Sequence, residues 1–551
     1  MDGDHALSSS TAAARVARIA LVGIPAAFLL YFFAYPLAAI VWRSVGAEGQ
    51  AGLGVVSEVI TNARIRGVAA FTVAQAAAST LLTLAVGLPT AFVFARYRFP
   101  GRTLLRAVAT VPFVLPTLVV GTAFLALLGP SGALGIDLSG TVWAILLAHV
   151  FYNYAIVVRG VGSFWEQLDP RLEDAARTLG AGRWRAFREV TWPLLQPAVL
   201  SAASLVFLFS FTSFGVVLVL GGTRLATIEV EIWRQTTAFL RLDVAATLAV
   251  LQLIAVGGLL IVFGRLAARQ RRELPLRPVG EVLRPMRTTG ERALVTATVA
   301  FMALFLVTPM AVLVVRSART ASGIGFGNYQ ALADSSETAL FIPTAEAVGN
   351  SLAFASAAVV IAVLIGLMAA ASVAYGHSRV GGAMDAALML PLGTSAVTLG
   401  FGFLIALDRP VDLRTSLLII PIAHALVAIP FVVRSTLPVM RAVQERLREA
   451  AAVLGAGPGR AWREVDLPIV TRAALVGAAF AFAVSLGEFG ATAFIARPVS
   501  ATIPVAIFRF LGLPGASSFG RAMALSVVLM LLTGIAVLAI ERLRPLGGGE
   551  F

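Results

Sequence analysis

The sequence predicts an all-α membrane protein with about twelve transmembrane helices, arranged as two parallel repeats of six. Three observations support this fold class. Hydrophobic residues make up 58% of the chain and charged residues 13%, whereas a soluble domain has roughly 25% charged residues. The apolar residues fall into runs of about 20, the length that crosses a bilayer as a helix. A charged segment between such runs occurs twice, 275 residues apart.

Each predicted span crosses a hydrocarbon core of about 30 Å at 1.5 Å per residue. Lipid offers the backbone no hydrogen-bonding partners, so each span must close its own hydrogen bonds as a helix. The first six spans fall at roughly 19–43, 68–95, 104–128, 141–162, 196–220 and 244–266. The other six fall at roughly 292–316, 347–375, 383–407, 416–438, 472–496 and 518–541.

A polar segment rich in proline and arginine, 267–291, lies between the two sets of spans. Such a composition is typical of a linker. The sequence therefore predicts a first repeat at 1–266, a linker at 267–291 and a second repeat at 292–551. Six spans return the chain to the side on which it started, so the repeats are parallel and related by an axis along the membrane normal.

The net charge of +14 would indicate a nucleic-acid partner in a soluble protein. Here the arginines lie in short loops, where they orient the helices. Arg15, Arg18, the turn 96–102 and the linker around Arg277 fall on one side of the membrane, and the opposite loop 129–140 has no arginine. We therefore expect a bacterial inner-membrane protein with both termini in the cytoplasm, surrounded by lipid and without a nucleic-acid partner.

The chain contains neither cysteine nor lysine. The lack of cysteine excludes disulfides and thiolate metal sites. A Walker-type phosphate loop needs its lysine to reach the nucleotide phosphates, so the chain cannot hold that ATP site. We expect a protein that is not an enzyme, has no cofactor, and leaves ATP hydrolysis to a partner.

The repeated segment has an acid, two alanines, a glycine and a proline at one spacing in both copies. These residues are Asp174, Ala175, Ala176, Gly180 and Pro193, then Glu449, Ala450, Ala451, Gly455 and Pro468. Alanine favours helix and glycine ends it, so each copy should form two short helices with a bend. The acid would lie in the first turn, where the helix dipole favours it. An ordinary glycine-capped loop is the alternative, and the matched spacing of two copies argues against it.

At these residues the chain resembles the membrane permeases of ATP-binding-cassette importers. Their signature is a cytoplasmic loop with Glu-Ala-Ala, then Gly, a hydrophobic residue and Pro, and Asp174 departs from it mildly. The stretches 147–153, 213–222 and 485–490 resemble those of fused, double-length thiamine and ferric-iron permeases. The resemblance implies that each loop forms a coupling helix for one of two ATP-binding subunits, expected to be a homodimer. It also implies alternating access and an extracytoplasmic binding protein that delivers thiamine or ferric iron.

A secondary transporter built from two parallel repeats is the alternative interpretation, because it would also have twelve helices and cytoplasmic termini. The repeated loops distinguish this interpretation from that of an importer permease. Secondary transporters have no reason to keep a matched alanine-rich docking helix between the fourth and fifth spans of both halves.

Ionisable groups at membrane depth are costly and are candidates for a transport pathway. Glu488 falls within the predicted eleventh span, and Ser213 occupies the equivalent position of the first half. A carboxylate that faces the cavity would favour a cationic solute; a hydrogen bond to a neighbouring helix is the alternative. Asn153 and Tyr154, whose equivalents in the second half are apolar, are further pathway candidates.

His149 and His424 occupy equivalent positions in the fourth span of each half. Without nearby carboxylate or sulfur ligands they would make a poor metal site, and we expect them to pack helices together. Glu229, Glu231 and Arg234 fall in an outer loop, where they would either contact a binding protein or face solvent.

Overall fold

A computed structural model describes the chain except residues 1–18, 47–52, Thr223, 270–282, 321–322, 334–342, 376–377, Gln444 and 544–551. Within the described part most residues are helical, and each strand is two residues long. Arg15, Arg18 and Arg277, on which the predicted orientation depends in part, lie outside the described residues.

In the described part, ten helices are long and apolar enough to cross a membrane. In the first half they are α1 Ile19–Val45, α3 Ala63–Arg96, α6 Val142–Glu166, α8 Arg183–Phe211 and α11 Leu242–Leu266. In the second half they are α12 Thr289–Ser317, α14 Thr344–Ala374, α17 Ile419–Ala442, α19 Gly459–Gly487 and α22 Ala516–Ile540. The all-α membrane fold predicted from the sequence is confirmed.

The third span of each half, predicted as one apolar run at 104–128 and 383–407, consists of two helices that meet at a sharp bend. In the first half α4 Arg102–Val114 and α5 Thr117–Leu128 meet at 100°. In the second half α15 Gly381–Pro391 and α16 Ala396–Ala406 meet at 95°. Counting each bent pair as one span gives the predicted twelve.

Local chemistry accounts for both breaks. Pro116 disfavours helical geometry at the residue before it, and Leu115 is extended, with φ −62° and ψ 138°. At the second break Ser395 is also extended and its side chain accepts a hydrogen bond from the backbone N–H of Thr398, 3.2 Å away. A serine in this position caps the helix that follows. Both breaks therefore start a new helix in another direction.

Shorter elements connect the spans. The short helices are α2 Leu53–Thr61, α7 Arg171–Thr178, α9 Gly215–Leu220, α10 Ile228–Thr237, α13 Gly327–Ala333, α18 Glu445–Val453, α20 Thr492–Ile495 and α21 Ile503–Gly512. The strands are β1 Tyr97–Arg98, β2 Arg284–Pro285, β3 Arg319–Thr320 and β4 Gly323–Ile324. Strands β1 and β2 pair in parallel, β3 and β4 in antiparallel fashion. We call the membrane side that carries α7 and α18 the loop face, and the other side the opposite face.

The same three-helix packing occurs in both halves. Helices α3, α6 and α8 pack together, and so do α14, α17 and α19. A Cβ on Gly87 would lie 2.8 Å from Val157, and a Cβ on Gly366 would lie 2.9 Å from Val432. The glycines are 279 residues apart and the valines 275. The two copies therefore share their packing although the first copy is four residues longer between these positions.

The first helix of each half packs on the broken span of the other half. Helix α1 packs on α16, where the rings of Phe32 and Phe403 lie 6.4 Å apart. Helix α12 packs on α5 and brings Phe305 within 6.0 Å of Phe151. The two halves are therefore interlocked rather than placed side by side.

Candidate functional site

The first repeated loop ends its helix α7 with a left-handed glycine. Gly180 has φ +90°, and its N–H donates to the carbonyl of Arg177 at 3.0 Å. The N–H of Ala181 donates to the carbonyl of Ala176 at 3.1 Å. This pair of hydrogen bonds is a Schellman motif, which closes the last carbonyls of a helix.

The second repeated loop has the same geometry. Gly455 has φ +84° and its N–H donates to Ala452 at 2.9 Å, while that of Ala456 donates to Ala451 at 2.9 Å. Only glycine adopts this backbone region without strain. A second short helical segment follows each bend. The predicted two short helices with a glycine bend are confirmed in both copies.

Each loop exposes a large apolar side chain beside its glycine. Leu179 is 89% exposed and Leu454, its equivalent, is 88% exposed. The alanines Ala176 and Ala451 are half-buried beneath this tip. The acid and first alanine of each copy are exposed on the same helix: Asp174, Ala175, Glu449 and Ala450. These two leucines are therefore large apolar side chains that the repeated loops present to the outside on the loop face.

Each loop re-enters the membrane through a wide helical turn followed by the repeated proline. The N–H of Trp192 donates to the carbonyl of Phe187, five residues back, just before Pro193. Leu467 and Trp462 form the same turn before Pro468. Such π turns are rare and cluster at functional sites. They set the angle between each loop and the span that follows.

Four aromatic rings meet between the halves. Phe214 and its equivalent Phe489 stack with centroids 5.4 Å apart at 20°. Trp233 lies 6.4 Å from Phe214, and its equivalent Phe508 lies 5.5 Å from Phe489. Trp233 and Phe508 are 5.6 Å apart. A residue that touches its own equivalent lies on the symmetry axis, so this aromatic quartet closes the axis between the halves.

Both halves break their helices where the quartet forms. Helix α8 ends at Phe211 and α9 begins at Gly215. A Cβ on Gly215 would lie 2.7 Å from the Oγ1 of Thr117, at the start of α5. A Cβ on Gly490 would lie 3.0 Å from Ala396, at the start of α16. We call the residues around each break, 212–215 and 488–491, the axis segments. In each half, therefore, the axis segment rests on the broken third span.

The sequence predicted Glu488 inside the eleventh span, but the structure places it just after that span. Helix α19 ends at Gly487, and Glu488 is extended, with φ −69° and ψ 121°. It is 7% exposed. Its carboxylate accepts hydrogen bonds from the N–H of Ala491 at 2.7 Å, the N–H of Thr492 at 3.1 Å and the hydroxyl of Thr492 at 2.5 Å. The Nε2 of His424 lies 3.2 Å away. The carboxylate thus holds the axis segment instead of facing an open cavity.

The two histidines support the axis segments. The ring nitrogens of His149 lie 3.0 Å from the hydroxyl of Ser79 and 2.8 Å from that of Ser213. Those of His424 lie 2.7 Å from the hydroxyl of Ser485 and 2.8 Å from that of Thr492. Both rings are buried. Among the described residues no group of three or more His, Asp or Glu side chains could hold a metal ion, and the contacts are those of helix-packing histidines.

A buried amide pair of the first half lies near the axis segment. Asn153 donates to the hydroxyl of Ser210 at 3.3 Å, and Gln75 donates to the carbonyl of Ser210 at 2.7 Å. Each amide keeps one buried oxygen that has no hydrogen-bond partner within the described chain. Gln75 was not identified from the sequence, although it is a polar side chain within a predicted span. Tyr154 donates to the hydroxyl of Thr90 at 2.6 Å.

Glu229 and Glu231 are buried, so their placement in an exposed loop was wrong. Glu229 accepts hydrogen bonds from Gln252 and, at 2.7 Å, from the hydroxyl of Ser395 in the other half. Glu231 accepts one from Gln235 at 2.7 Å. The predicted loop is helix α10, which packs against α11. Arg234 donates to the carbonyl of Gly222 at 3.0 Å.

A cleft of about 1500 Å³ opens on the opposite face between segments of both halves. Its lining includes Arg224, Arg316 and Arg319 and no acidic residue. Arg316 also donates to the carbonyl of Ser131, which joins the two halves at the edge of the cleft. The described lining of the cleft is therefore basic.

Comparison with known proteins agrees with these features. Residues 84–272 match the family model described as "Binding-protein-dependent transport system inner membrane component". The thiamine transport system permease protein ThiP of Brucella abortus (strain 2308) is 29% identical over 490 residues, which cover 85% of this chain and 87% of that protein. The sulfate transport system permease protein CysT of Escherichia coli (strain K12) is 35% identical over 213 residues, 37% of this chain and 77% of that protein.

A solved bacterial ABC transporter involved in the import of the acidic polysaccharide alginate gives a TM-score of 0.39 at 14% identity, over 44% of this chain and 92% of that chain. The sequence relatives, the repeated loops and the helical membrane fold agree on one assignment. The chain belongs to the family of binding-protein-dependent transport system inner membrane components, and it is the fused, double-length permease of an ATP-binding-cassette importer.

Proposed function

We propose that each repeated loop docks one of two identical ATP-binding subunits and that the permease itself has no enzymatic activity. The observation that carries this proposal is the matched pair of tips, Leu179 and Leu454, each exposed beside a left-handed glycine. Two equal docking sites on one chain fit a homodimer. The absence of lysine from the chain leaves it without a Walker-type ATP site.

The loop face is the cytoplasmic face in this proposal, and both chain termini lie there. Support comes from the arginine bias, which favours the cytoplasm. The two repeats at 1–266 and 292–551 then contribute one half of the pathway each, joined by the linker 267–291. Arg284, at the end of that linker, donates to the hydroxyl of Tyr97 at 3.1 Å, which ties the linker to the first half.

The translocation pathway follows the axis between the halves, and the aromatic quartet closes it in this conformation. Separation of the halves would part Phe214 from Phe489 and open the axis. Glu488 and Ser213 hold the two axis segments in place, and Asn153 contributes a polar group beside the first. The cleft with Arg224, Arg316 and Arg319 gives an extracytoplasmic binding protein a basic surface on which to dock.

Thiamine is the solute that the features favour. A relative that aligns over 85% of the chain is a thiamine permease, and aromatic rings lie on the axis. A cationic, aromatic solute can stack on such rings and be attracted by their π faces. Glu488 no longer supports a cation directly, because its carboxylate is occupied by internal hydrogen bonds. Sulfate is the second candidate, since the sulfate permease is the more identical relative over its shorter alignment.

The test uses the permease co-expressed with its ATP-binding subunit and binding protein in cells that lack thiamine import. We expect ATP-dependent uptake of radiolabelled thiamine. Uptake of labelled sulfate or ferric iron, but not of labelled thiamine, would contradict the assignment of thiamine as the solute.

Docking is tested separately by purifying the permease and measuring the bound ATP-binding subunit. The double variant L179D/L454D should lose that subunit, because a charge at each tip cannot enter an apolar cleft without a desolvation cost. The control variant L134D places the same charge at an exposed leucine of the opposite face, which is 56% exposed. This variant should retain the ATP-binding subunit. Full retention by L179D/L454D would contradict docking at the tips.

A further inference from the structure

The second coupling helix is fixed to the following span by a buried ion pair. Arg448 lies in α18, and Asp466 lies in the π turn that opens the long helix. The Nε of Arg448 donates to both carboxylate oxygens of Asp466 at 3.1 Å, and its Nη2 donates at 2.5 Å. The side chain of Asp466 is 1% exposed. This geometry is bidentate, the strong form of an arginine–carboxylate contact.

The first coupling helix uses the same two positions with different chemistry. Glu173 and Thr191 are the equivalents of Arg448 and Asp466. The hydroxyl of Thr191 donates to the carboxylate of Glu173 at 3.1 Å. Arg96, at the end of α3, lies 3.6 Å from the same carboxylate. The acid has thus moved from the span to the coupling helix, while the contact between the two elements is kept.

These contacts connect the proposed docking surface to the axis. Without them each coupling helix would join its span only through the glycine bend and the short segment after it. With them the coupling helix is fixed to the base of α8 or α19. The opposite end of each of these helices, about 30 Å away at 1.5 Å per residue, leads directly to Phe214 or Phe489. A displacement of the coupling helix would therefore move the aromatic quartet.

We propose that the two contacts, Glu173–Thr191 and Arg448–Asp466, are positioning contacts that transmit ATP-driven motion from the coupling helices to the axis. We call them the loop clamps. The proposal rests on the docking of ATP-binding subunits at these loops and goes beyond it, because docking alone requires no contact between coupling helix and span. The second clamp is the one to test, since its buried carboxylate is paired with an arginine of the coupling helix itself.

The absence of native cysteine allows a measurement that needs no knowledge of the solute. Spin labels are attached to cysteines at Leu134 and Val411, exposed on the opposite face in the two halves. Their separation is measured by electron paramagnetic resonance in the complex with the ATP-binding subunits, before and after ATP with vanadate. The variant R448E places two acids together and should reduce the fraction of complexes that change distance by about tenfold, because a buried charge without its partner is strongly unfavourable.

The double variant R448E/D466T rebuilds the first clamp's pair in the second loop and should restore most of the distance change. The control R460Q breaks the exposed pair Arg460–Glu464, which joins neighbouring turns of one helix, and should behave like the parent. Copurification of the ATP-binding subunit shows that each variant is folded and docked. The proposed role of the loop clamps would be overturned by a normal distance change in R448E. It would also be overturned if R448E/D466T changed distance no more often than R448E. Failure of the parent to retain the subunit would instead overturn the proposed docking.

Discussion

The two axis segments lie at equivalent positions of the two halves and differ in chemistry. In the first half Ser213 contacts His149 through one hydroxyl at 2.8 Å. In the second half the equivalent residue is Glu488, which accepts three hydrogen bonds and lies 3.2 Å from His424. The position of the histidine is kept in both. The helix break is therefore built by the shared glycines and histidines, and the side chain on the axis is free to diverge.

The coupling loops show the same asymmetry at the other end of the same helices. The first loop is held by Glu173 and Thr191 and the second by Arg448 and Asp466. The second contact is an ion pair between coupling helix and span, whereas the first is a hydrogen bond from a hydroxyl, and its acid is also paired with Arg96 of another helix.

The largest effect is expected from a bulky residue at the left-handed glycine of either coupling loop, where the two halves share one backbone conformation. G180V and G455V each force a β-branched residue into a left-handed conformation that costs an ordinary residue about 1–2 kcal/mol and a β-branched one more. We expect either change to abolish ATP-dependent uptake while the permease still inserts. Uptake and membrane yield are measured together, and normal uptake in one variant would show that its loop does not couple.

The quartet should respond equally to changes in either half. F214A and F489A each remove one ring of the central stack, and deleting a buried phenylalanine costs about 3–5 kcal/mol. We expect the axis to admit water, so that a cysteine at Ser213 becomes reactive to a membrane-impermeant maleimide in both variants. A cysteine at Ser213 in the parent is the control. Strong labelling in one variant alone would break the symmetry of the quartet.

The axis side chains should respond unequally. In E488Q the amide nitrogen cannot accept, so a buried N–H or hydroxyl loses its partner at a cost of about 1–3 kcal/mol. S213A removes one neutral hydrogen bond, worth about 0.5–1.5 kcal/mol. Thermal unfolding in detergent should show the larger fall in Tm for E488Q. Equal shifts would mean that the carboxylate adds nothing to the stability of the second half.

The smallest effects are expected at ion pairs of the opposite face. Arg241 donates to Glu58 at 2.7 and 2.9 Å, and this hydrogen bonding lowers the pKa of the Glu58 carboxyl. Because the folded pKa is below the ordinary one, the pair stabilises the protein at neutral pH, and this contribution falls as pH drops through about 4.3 and below.

Both groups of that pair are well exposed, so R241Q should cost less than about 1 kcal/mol. R414Q breaks the Arg414–Asp412 contact within one loop and should cost less still. Unfolding at neutral pH and near pH 4 compares the variants. A loss in R241Q that does not shrink at the lower pH would contradict the role of Glu58.

Sequence patterns predicted those features that depend on local chemistry. The spans follow from apolar length, and the bends at Gly180 and Gly455 follow from helix-forming alanines before glycine. The break at Pro116 was missed because the apolar run continues through it. Glu488 was placed inside a helix for the same reason, since apolar residues flank it on both sides.

The remaining features depend on contacts between distant segments. The sequence around Glu229 suggests a loop, and its burial is explained by contacts with Gln252 and with Ser395, which is 166 residues away. Phe214 and Phe489 occupy equivalent positions of the two repeats. The repeat itself, however, does not predict that these two residues contact each other. Glu173 and Arg448 have opposite charges at one position, which looks like divergence until their partners are seen.

The interlocked first helices have a consequence for biosynthesis. Helix α1 is among the earliest segments to be made, yet it packs on α16, more than 300 residues later. At a synthesis rate of about 5–20 residues per second, it waits roughly 20–70 s in the bilayer before that surface exists. During this time Phe32 and its neighbours are solvated by lipid. The packing of α1 is therefore completed only after the second half has been inserted.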